Sequence, residues 1–554
     1  MKKDFLIFLL IALIIFGIFF RIASLNNEFI AEETEFIKAG IAIANTGHPV
    51  FYQSEQEQTK LALWHPPMYI YSLAFLFKIF PITEITARSL NIVFSLLTAI
   101  LIFLFCFKII GKKPGALIGL IASAFFLINF YVLSSSILID IDALSTFFVF
   151  GFVYFTLRHY QTKTNLHLIL SGIFLFFGIY NRYPMMFLTY IFIGAYYLYK
   201  KDLREYFPKY LLNGITVAIL FLGTWTIYST IFEPGNFFSF LSHNANLGAE
   251  QFSNLAVYIP SFFLNIAQFI RLFTFPATIL GIWAIFHLFN KKTKLIKILL
   301  LYILPIFILF LLMPRPAFGY PRYFMTILPG IIILISIFIY KNLEKETIEE
   351  KEFIIVFLSS IISFFILLLL SPQPAIYSSK GLIFSTNLPD FAFNLLASLP
   401  ILLVFFLKEK RKMLILILIA LTLVYCFYFN FQLINNEPKI IETATYIKQH
   451  TEINDSVICP YAIGYYLDRP FYNNDHNLPE LNFSPKYLAE YFKTSYTNPK
   501  MDNPIFWPDG LYSGLYSPIP PEQELQKAKY IVKYYPIDDK EPEKIIGDFY
   551  IYRI

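Results

Sequence analysis

The segment KILLLYILPIFILFLLMPRPAFGYPRYFMTILPGIIILISIFIY, residues 297–340, contains two apolar runs joined by a short stretch of prolines, aromatic residues and arginines. The runs cover residues 297–313 and 323–340. Each is close to the roughly 20 apolar residues with which a helix crosses a bilayer core of about 30 Å. Because such runs recur along the chain, the pattern predicts an integral membrane protein with many spans.

The composition of the whole chain excludes the other broad classes. Of 554 residues, 57% are hydrophobic and only 15% are charged, against about 25% charged in a typical soluble domain. A soluble globule could not hide that much apolar surface, and a disordered chain has the opposite composition. The three cysteines are too few and too scattered for a disulfide framework or a zinc cluster.

Counting the apolar stretches predicts about thirteen transmembrane helices. Two of them are separated only by Asn181, Arg182 and Tyr183, a tight re-entry after which Pro184 can begin the next helix without losing a hydrogen bond. The first could instead be a signal peptide, although its apolar run is long for one. The predicted spans are residues 5–22, 88–107, 114–132, 138–157, 165–180, 184–199, 211–232, 271–289, 297–313, 323–340, 353–370, 391–407 and 413–430.

The positions of the basic residues predict the orientation in the cell membrane. If the N-terminus is cytoplasmic, the short inward connections hold 22 of the 44 lysines and arginines, whereas the longer outward connections before the tail hold ten. Cytoplasmic loops of membrane proteins carry such an excess of positive charge. An odd number of spans then places the C-terminus outside the cytoplasm.

Two pieces of soluble sequence remain, and both face outward in this topology. We expect residues 1–430 to form the membrane domain, with a long first loop at 23–87. Residues 431–554 are expected to form a small extracytoplasmic α/β domain. Its first elements are predicted as a helix at Ile441–His450 and a strand and helix within Ser456–Tyr466.

Acidic residues near the predicted outer boundary are the first candidates for chemistry. Residues 32–35 read EETE shortly after the first span, and Asp140 and Asp142 lie at the outer start of the fourth. The first group could be a solvated helix start, where acids suit the helix dipole, or could supply a general base. Ionisable groups within a membrane usually serve a function. Two residues apart on a helix, the aspartates point in different directions, so only one need face the interior.

Arginines at the outer boundary are the second group. Arg88, Arg182, Arg315 and Arg322 lie beside aromatic residues and prolines. Each alone could reach to lipid headgroups, but a shared height favours a common anionic ligand, and the guanidinium group suits phosphate. Together with the outward acids and the apolar bundle, they indicate a substrate with a surface phosphate and a hydrocarbon tail, such as a polyprenyl-phosphate sugar.

Five short motifs occur in one order over residues 1–340. They are Glu32-Glu33 with Phe36 and Gly47-His48-Pro49; His65-Pro66-Pro67-Met68-Tyr69 with Ala87-Arg88; Asp142-Ala143-Leu144; Arg182-Tyr183-Pro184; and Arg322-Tyr323 with Pro329. Together these motifs resemble those of the family 39 glycosyltransferases, the protein O-mannosyltransferases and lipid A aminoarabinose transferases, which have the GT-C fold. The chain has Glu where the family usually has Asp in the first motif, and Arg-Tyr-Pro where many members have Lys-Gly-Pro.

The resemblance implies transfer of one sugar from a polyprenyl-phosphate donor to an acceptor outside the cytoplasm, with inversion at the anomeric carbon. It assigns the base to Glu32, or to Glu33 or Glu35 because of the extra methylene, and makes Asp142 the second acid. The donor phosphate would be bound by Arg322, Arg182 and Arg88. The remaining loop and substrate residues would be His65, Tyr323, Tyr183 and Asp140.

Several alternatives stay open. A transporter or flippase for lipid-linked sugars would share the spans and arginines, although it would more often show duplicated halves and broken helices. An inactive GT-C scaffold is a third interpretation. The acceptor could be a protein, a lipid or a cell-envelope glycan. A divalent cation could share the phosphate, but no ligand cluster requires one. Membrane lipids are the other expected partners, and nucleic acid is not expected.

Overall fold

The computed structural model shows a predominantly helical chain with a small mixed sheet near its C-terminus. It describes residues 3–22, 25, 28–29, 33–51, 60–61, 67–201, 203–232, 262, 265–266, 269–270, 273–289, 293–312, 321–343, 349–370, 375–378, 381–384, 410–434, 439–467, 470–473, 528–533, 541–547 and 549–553.

Long apolar helices make up most of the described chain. A π-helical turn, Cys106–Ile110, follows α4, and short 3-10 helices lie at Arg204–Tyr206 and Pro321–Ile327. The α-helices are α1 (Lys3–Ile22), α2 (Glu33–Thr46), α3 (Met68–Ile79), α4 (Glu84–Phe105), α5 (Lys112–Ile128), α6 (Phe130–Ile137), α7 (Asp142–Thr162), α8 (Asn165–Tyr199), α9 (Phe207–Phe232), α10 (Phe275–Phe289), α11 (Lys294–Leu311), α12 (Leu328–Asn342), α13 (Glu350–Leu370), α14 (Arg411–Ile434), α15 (Ile440–His450) and α16 (Tyr461–Leu467).

Six of the helical segments in the described ranges are long and apolar enough to cross a membrane. A seventh span results if α5 and α6 count together, because a 58° bend separates Lys113–Ile128 from Phe130–Ile137. Thirteen spans are therefore not confirmed, and the predicted span at 391–407 lies outside the described residues. The multi-pass helical architecture itself is confirmed.

The contacts of α8 with α7 explain part of the difference in span number. α8 is continuous over 35 residues, but Arg182 within it has extended backbone angles, φ −157° and ψ 81°. This residue pairs with Asp142 at the start of α7. His167, earlier in α8, stacks on Phe155 near the other end of α7, with ring centroids 6.3 Å apart. The first arm of α8 therefore runs antiparallel to α7.

Beyond Arg182 the chain returns along α7. The ring of Tyr190 lies 6.2 Å from that of Phe152, and the Tyr197 hydroxyl donates to the Thr156 carbonyl at 3.5 Å. Successive residues of this second arm therefore contact α7 at positions farther and farther from its start. α8 is thus a helical hairpin that bends at Arg182, as the sequence predicts for the re-entry at 181–183.

Close packing fixes the first arm of this hairpin. Gly151 lies at the centre of α7, where the Phe174 ring occupies the space that a β-carbon would need. The same ring contacts Phe147 and Phe148, with centroids 5.1 Å and 5.8 Å away. Because α7 is apolar on all sides and largely buried, it forms the centre of the bundle.

Beyond the membrane helices, five strands form a mixed sheet. The five strands are β5 (Ser456–Cys459), β6 (Phe471–Asn473), β7 (Ala528–Lys533), β8 (Lys544–Ile546) and β9 (Phe549–Arg553). The sheet order is β6-β5-β7-β9-β8, with β5 parallel to β6 and β7, and the other pairs antiparallel. The predicted helix, strand and helix at the start of this domain correspond to α15, β5 and α16.

Four further strands form two short hairpins elsewhere in the chain. The antiparallel pair β1 (Val50–Phe51) and β2 (Lys60–Leu61) belongs to the first loop. The pair β3 (Ala375–Ser378) and β4 (Gly381–Phe384) follows α13.

Candidate active site

The candidate site begins with a buried ion pair between the first loop and α4. Glu33 is the first residue of α2, and Arg88 lies one turn into α4. Both side chains are 3% exposed, and Arg88 Nη2 donates to Glu33 Oε2 at 2.9 Å. A second, longer bond joins Arg88 Nε to Glu33 Oε1 at 3.4 Å. The acid at this helix start is therefore not solvated.

Arg88 also holds the chain that leads into α2. Its Nη1 donates to the Leu25 carbonyl at 3.2 Å, and its Nη2 donates to the Glu28 carbonyl at 2.9 Å. Each side of the guanidinium group is thus used by the first loop. These contacts fit a residue that fixes this loop on α4.

Glu33 reaches a second element, the turn that precedes α7. Its Oε1 accepts a hydrogen bond from the backbone N–H of Ile139 at 2.9 Å. The amide nitrogen of Asn91, on α4, donates to the carbonyls of Leu138 and Asp140 in the same turn. The turn at 138–141 is therefore attached to both the first loop and α4.

This turn buries both aspartates that the sequence singles out. Helix α7 begins at Asp142, so Asp140 lies in the turn and not on the helix. Asp140 is 2% exposed and Asp142 is fully buried. The prediction that only one of them need face the interior assumed that both were helical, and the turn removes that restriction.

Asp142 forms the second buried ion pair of the site, with Arg182 at the bend of α8. The arginine side chain is 11% exposed, whereas the carboxylate is completely buried. Neighbouring Asn181 donates to the Ile141 carbonyl at 2.9 Å and to Ser145 Oγ at 2.7 Å. Paired polar contacts of this kind compensate for the cost of burying charge.

A tyrosine of the first loop, Tyr69, lies beside the buried acids of the site. Tyr69 is in the first turn of α3 and is fully buried. Burial raises its pKa well above the usual value, and the negative charges of Asp140 and Glu33 raise it further. The phenol therefore stays neutral beside these carboxylates over the whole physiological pH range.

An apolar groove reaches the bend of the α8 hairpin. It has a volume of about 390 Å³ and lies between the hairpin α8 and helix α9. Tyr183, the residue after the site arginine, lines it, and Trp225 lies opposite on α9. The other lining residues are Leu175, Ile179, Phe187, Tyr190, Gly214, Ala218, Phe221 and Leu222. An apolar groove of this kind can take the hydrocarbon part of an amphiphile.

Comparison with known proteins agrees with this architecture. Residues 64–228 match the family model described as dolichyl-phosphate-mannose-protein mannosyltransferase. The structure of ArnT from Cupriavidus metallidurans bound to undecaprenyl phosphate is 12% identical and has a TM-score of 0.56, covering 89% of this chain and 88% of that chain. The chain has the GT-C fold.

Two further solved structures give the same result. The apo form of the Cupriavidus metallidurans ArnT matches with a TM-score of 0.54 at 12% identity, over 94% of this chain and 92% of that one. The Archaeoglobus fulgidus oligosaccharyltransferase tethered to an acceptor peptide has a TM-score of 0.51 at 12% identity, covering 96% and 69%. No curated protein sequence matches. The resemblance to GT-C glycosyltransferases is thus confirmed.

The GT-C structure brings together five of the ten predicted site residues. Glu33, Arg88, Asp140, Asp142 and Arg182 lie around the turn before α7. Tyr183 lines the adjoining groove. Glu32 and His65 lie outside the described residues. Arg322 and Tyr323 lie in the 3-10 helix Pro321–Ile327, and their side chains are outside the described part.

Three polar residues of this GT-C site were given no site role in the sequence analysis. Asn91 follows Arg88 by three residues on α4, the spacing of one helix face. Asn181 directly precedes Arg182 at the hairpin bend, and Tyr69 follows the double proline. The signal in the sequence was the side-chain amide of Asn91 and of Asn181, each within an otherwise apolar helix. Among the described residues, no group of three or more His, Cys, Asp or Glu could hold a metal ion.

Proposed function

We propose that this GT-C protein is an inverting glycosyltransferase. In this proposal it moves one sugar from a polyprenyl-phosphate donor to an acceptor on the extracytoplasmic face of the cell membrane. The observation that carries the proposal is the position of Arg182. Its side chain is 11% exposed and pairs with buried Asp142, and the next residue, Tyr183, lines the apolar groove. The ArnT structure bound to undecaprenyl phosphate supports a donor with such a lipid.

The donor phosphate and its tail require different surroundings. Arg182 offers charge to the phosphate, and Arg322 is the second predicted phosphate ligand. The tail enters the groove below Tyr183, where Phe187 and Trp225 offer apolar surface. Arg88 makes its contacts with Glu33 and the first loop. We therefore assign Arg88 to fixing this loop and not to binding the donor phosphate.

The reaction needs one base and one stabilised leaving group. The acceptor hydroxyl loses its proton to a carboxylate and attacks the anomeric carbon from the face opposite the phosphate. The bond between that carbon and the phosphate oxygen breaks, and the electron pair leaves with polyprenyl phosphate. Arginine stabilises the charge of this leaving group, and apolar surroundings keep water from competing.

The choice of base follows from the contacts of the neighbouring acids. Both carboxylate oxygens of Glu33 accept hydrogen bonds, from Arg88 and from Ile139 N–H. Such bonds occupy both oxygens and leave little room for an acceptor hydroxyl. Asp142 is paired with Arg182. We therefore assign the base to Glu32, one residue before α2, and orientation of the site to Glu33 and Asp142.

The experiment measures release of free polyprenyl phosphate. The purified full chain in detergent is incubated with a panel of polyprenyl-phosphate sugars, with and without a Ser/Thr-rich peptide, and the products are followed by mass spectrometry. Glu32→Gln, Arg182→Ala and Arg322→Ala are compared with Arg158→Ala, near the other end of α7. Release by the wild type that is lost in the first three and kept in the control supports the proposal.

Two other results would contradict the proposed transferase function. Donor binding without release from any donor would favour a transporter or an inactive scaffold. Absence of donor binding would remove the argument from the arginines. Repeating the assay with and without a chelator of divalent cations decides whether a metal shares the phosphate, and the mass of the peptide decides whether protein is the acceptor.

A further inference from the structure

The C-terminal domain is attached to the candidate site through two residues of the first loop. Glu28 and Phe29, here called the strap, precede α2 and lie beside Arg88. Arg88 Nη2 donates to the Glu28 carbonyl at 2.9 Å, and its guanidinium carbon lies 5.4 Å from the centre of the Phe29 ring. The same arginine holds Glu33. The position of the strap and the position of this ion pair are therefore linked.

The other side of the strap contacts the C-terminal domain. The Glu28 carboxylate accepts hydrogen bonds from the backbone N–H groups of Ile440 and Ile441, at 2.6 Å and 2.9 Å. These are the first two residues of α15, whose N–H groups have no partner within the helix. A carboxylate at a helix N-terminus is further stabilised by the helix dipole. Glu28 thus caps a helix more than 400 residues away in sequence.

A tyrosine of α16 completes the attachment. The Tyr466 hydroxyl accepts a hydrogen bond from Phe29 N–H at 2.8 Å and donates one to Glu84 Oε1 at 3.1 Å. Its ring stacks on Phe29 with centroids 6.3 Å apart. Glu84 lies four residues before Arg88 on α4, so the two side chains share one face of that helix. The domain and the strap thus meet on the face of α4 that carries the site arginine.

From these contacts we propose that the C-terminal domain positions the candidate active site, with Glu28 and Tyr466 as its positioning residues. Neither side chain touches the donor or the reacting atoms. They fix the strap, the strap fixes Arg88 and Glu33, and Glu33 fixes the turn before α7 through Ile139. Glu32, the base under the proposed function, follows the strap by three residues. The inference rests on that proposed function.

The test removes single polar groups and keeps the packing. Tyr466→Phe loses both hydroxyl contacts. Tyr465→Phe is the matched control, because Tyr465 is the preceding residue of α16 and packs its ring edge-on against Phe29. Glu28→Ala loses the cap, and Glu28→Gln restores one neutral acceptor. Glu442→Gln is its control, since this acid lies in the first turn of α15 and pairs with Lys439.

Each full-length variant is assayed in detergent with the polyprenyl-phosphate sugar that the wild type uses. We expect Tyr466→Phe and Glu28→Ala to lower kcat about five- to tenfold, the effect of losing one hydrogen bond of ordinary net strength. The KM for the donor should stay within about twofold, because Arg182 is untouched. Glu28→Gln should recover part of kcat. Hydrogen exchange of residues 25–33 should rise in the two impaired variants and not in the two controls.

The outcomes separate this inference from the function on which it rests. A wild type that releases polyprenyl phosphate while Tyr466→Phe matches Tyr465→Phe in both kcat and exchange overturns the positioning role alone. A fall in kcat that only follows the fraction of unfolded protein, measured by thermal unfolding, also overturns it. A wild type that turns over no donor overturns the proposed function, and the positioning role with it.

Discussion

Asp142, the first residue of α7, forms an ion pair with Arg182 at the bend of the α8 hairpin. This pair joins the bend of the hairpin to the start of α7, and the residue after Arg182, Tyr183, lines the groove. A neighbouring contact joins the same two helices, because Asn181, the residue before Arg182, donates to the carbonyl of Ile141, the residue before Asp142, and to Ser145 Oγ. The charge that could bind a phosphate is therefore also part of the fold.

The first prediction concerns the stability of this pair. Removing one partner of a buried ion pair leaves an uncompensated charge and typically costs about 3–5 kcal/mol. We expect Asp142→Asn and Arg182→Gln each to lower the free energy of unfolding strongly, and the double variant to lose less than the sum. Thermal unfolding of the purified proteins in detergent gives the double-mutant cycle. Additive losses would contradict a direct coupling.

The second prediction separates Glu32 from Glu33. Glu33→Gln should lower both thermal stability and sugar transfer, because it leaves Arg88 buried beside a neutral amide. Glu32→Gln should abolish transfer with the melting temperature unchanged, as expected for a residue whose role is to take up the acceptor proton. Glu35→Gln, in the first turn of α2, should keep transfer, which excludes the third acid that the resemblance allows as base. Full stability of Glu33→Gln together with complete loss of transfer would instead make Glu33 the base.

The third prediction concerns pH. Burial lowers the pKa of Lys38 from 10.5 to about 8, against the opposing effect of Glu35 and Cys459. Its ammonium group lies 6.0 Å and 5.2 Å from the rings of Tyr465 and Phe471 in the C-terminal domain. In the undocked or unfolded chain this lysine keeps its proton up to about pH 10.4.

The sign follows from the proton count. The docked state binds fewer protons between about pH 8 and pH 10.5, so docking of the domain should strengthen as pH rises through this window. Below about pH 8 the lysine is charged in both states and the cost of burying it is present in full. Lys38→Met should dock more tightly at pH 7 and lose this dependence. Limited proteolysis of the wild type and of Lys38→Met between pH 7 and pH 10 measures the docking of the domain. An equal pH dependence of docking in the two proteins would contradict the role of Lys38.

The fourth prediction tests the packing of the hairpin. Gly151→Ala places a methyl group where the Phe174 ring lies, and overpacking of this kind costs about 1–3 kcal/mol. A second change, Phe174→Leu, should restore part of the loss. Gly223→Ala is the control, because no other side chain lies within 4 Å of its added carbon. This control should be neutral or slightly stabilising, and thermal unfolding compares all three.

How much of this could be predicted depended on whether the signal was local. The hairpin bend was readable, because Asn181, Arg182 and Tyr183 interrupt an apolar run immediately before Pro184. The GT-C resemblance was readable for the same reason, since each of its motifs is a short local pattern. The number of spans was less certain, because a continuous helical segment such as α8 holds two apolar runs that the sequence counts separately.

The arrangement of the site was not readable, because it depends on distant contacts. Asp140 leaves the helix since Asn91 binds the carbonyls of its turn, and no spacing in the sequence indicates that pairing. Tyr466 and Glu84 are 382 residues apart. Arg88 looked like a phosphate ligand because its partner Glu33 lies 55 residues away in another element.

The last prediction concerns the groove between α8 and α9. Ala218 lines it, and Ala218→Phe would fill much of its volume of about 390 Å³. If the donor tail lies there, this variant should raise the KM for long-chain donors about tenfold, the effect of losing roughly two buried methylene groups. A short-chain donor, whose tail does not reach Ala218, should be unaffected. Thr216→Phe, an exposed α9 position outside the groove lining, is the control. An equal effect of Ala218→Phe on both donor lengths would place the tail elsewhere.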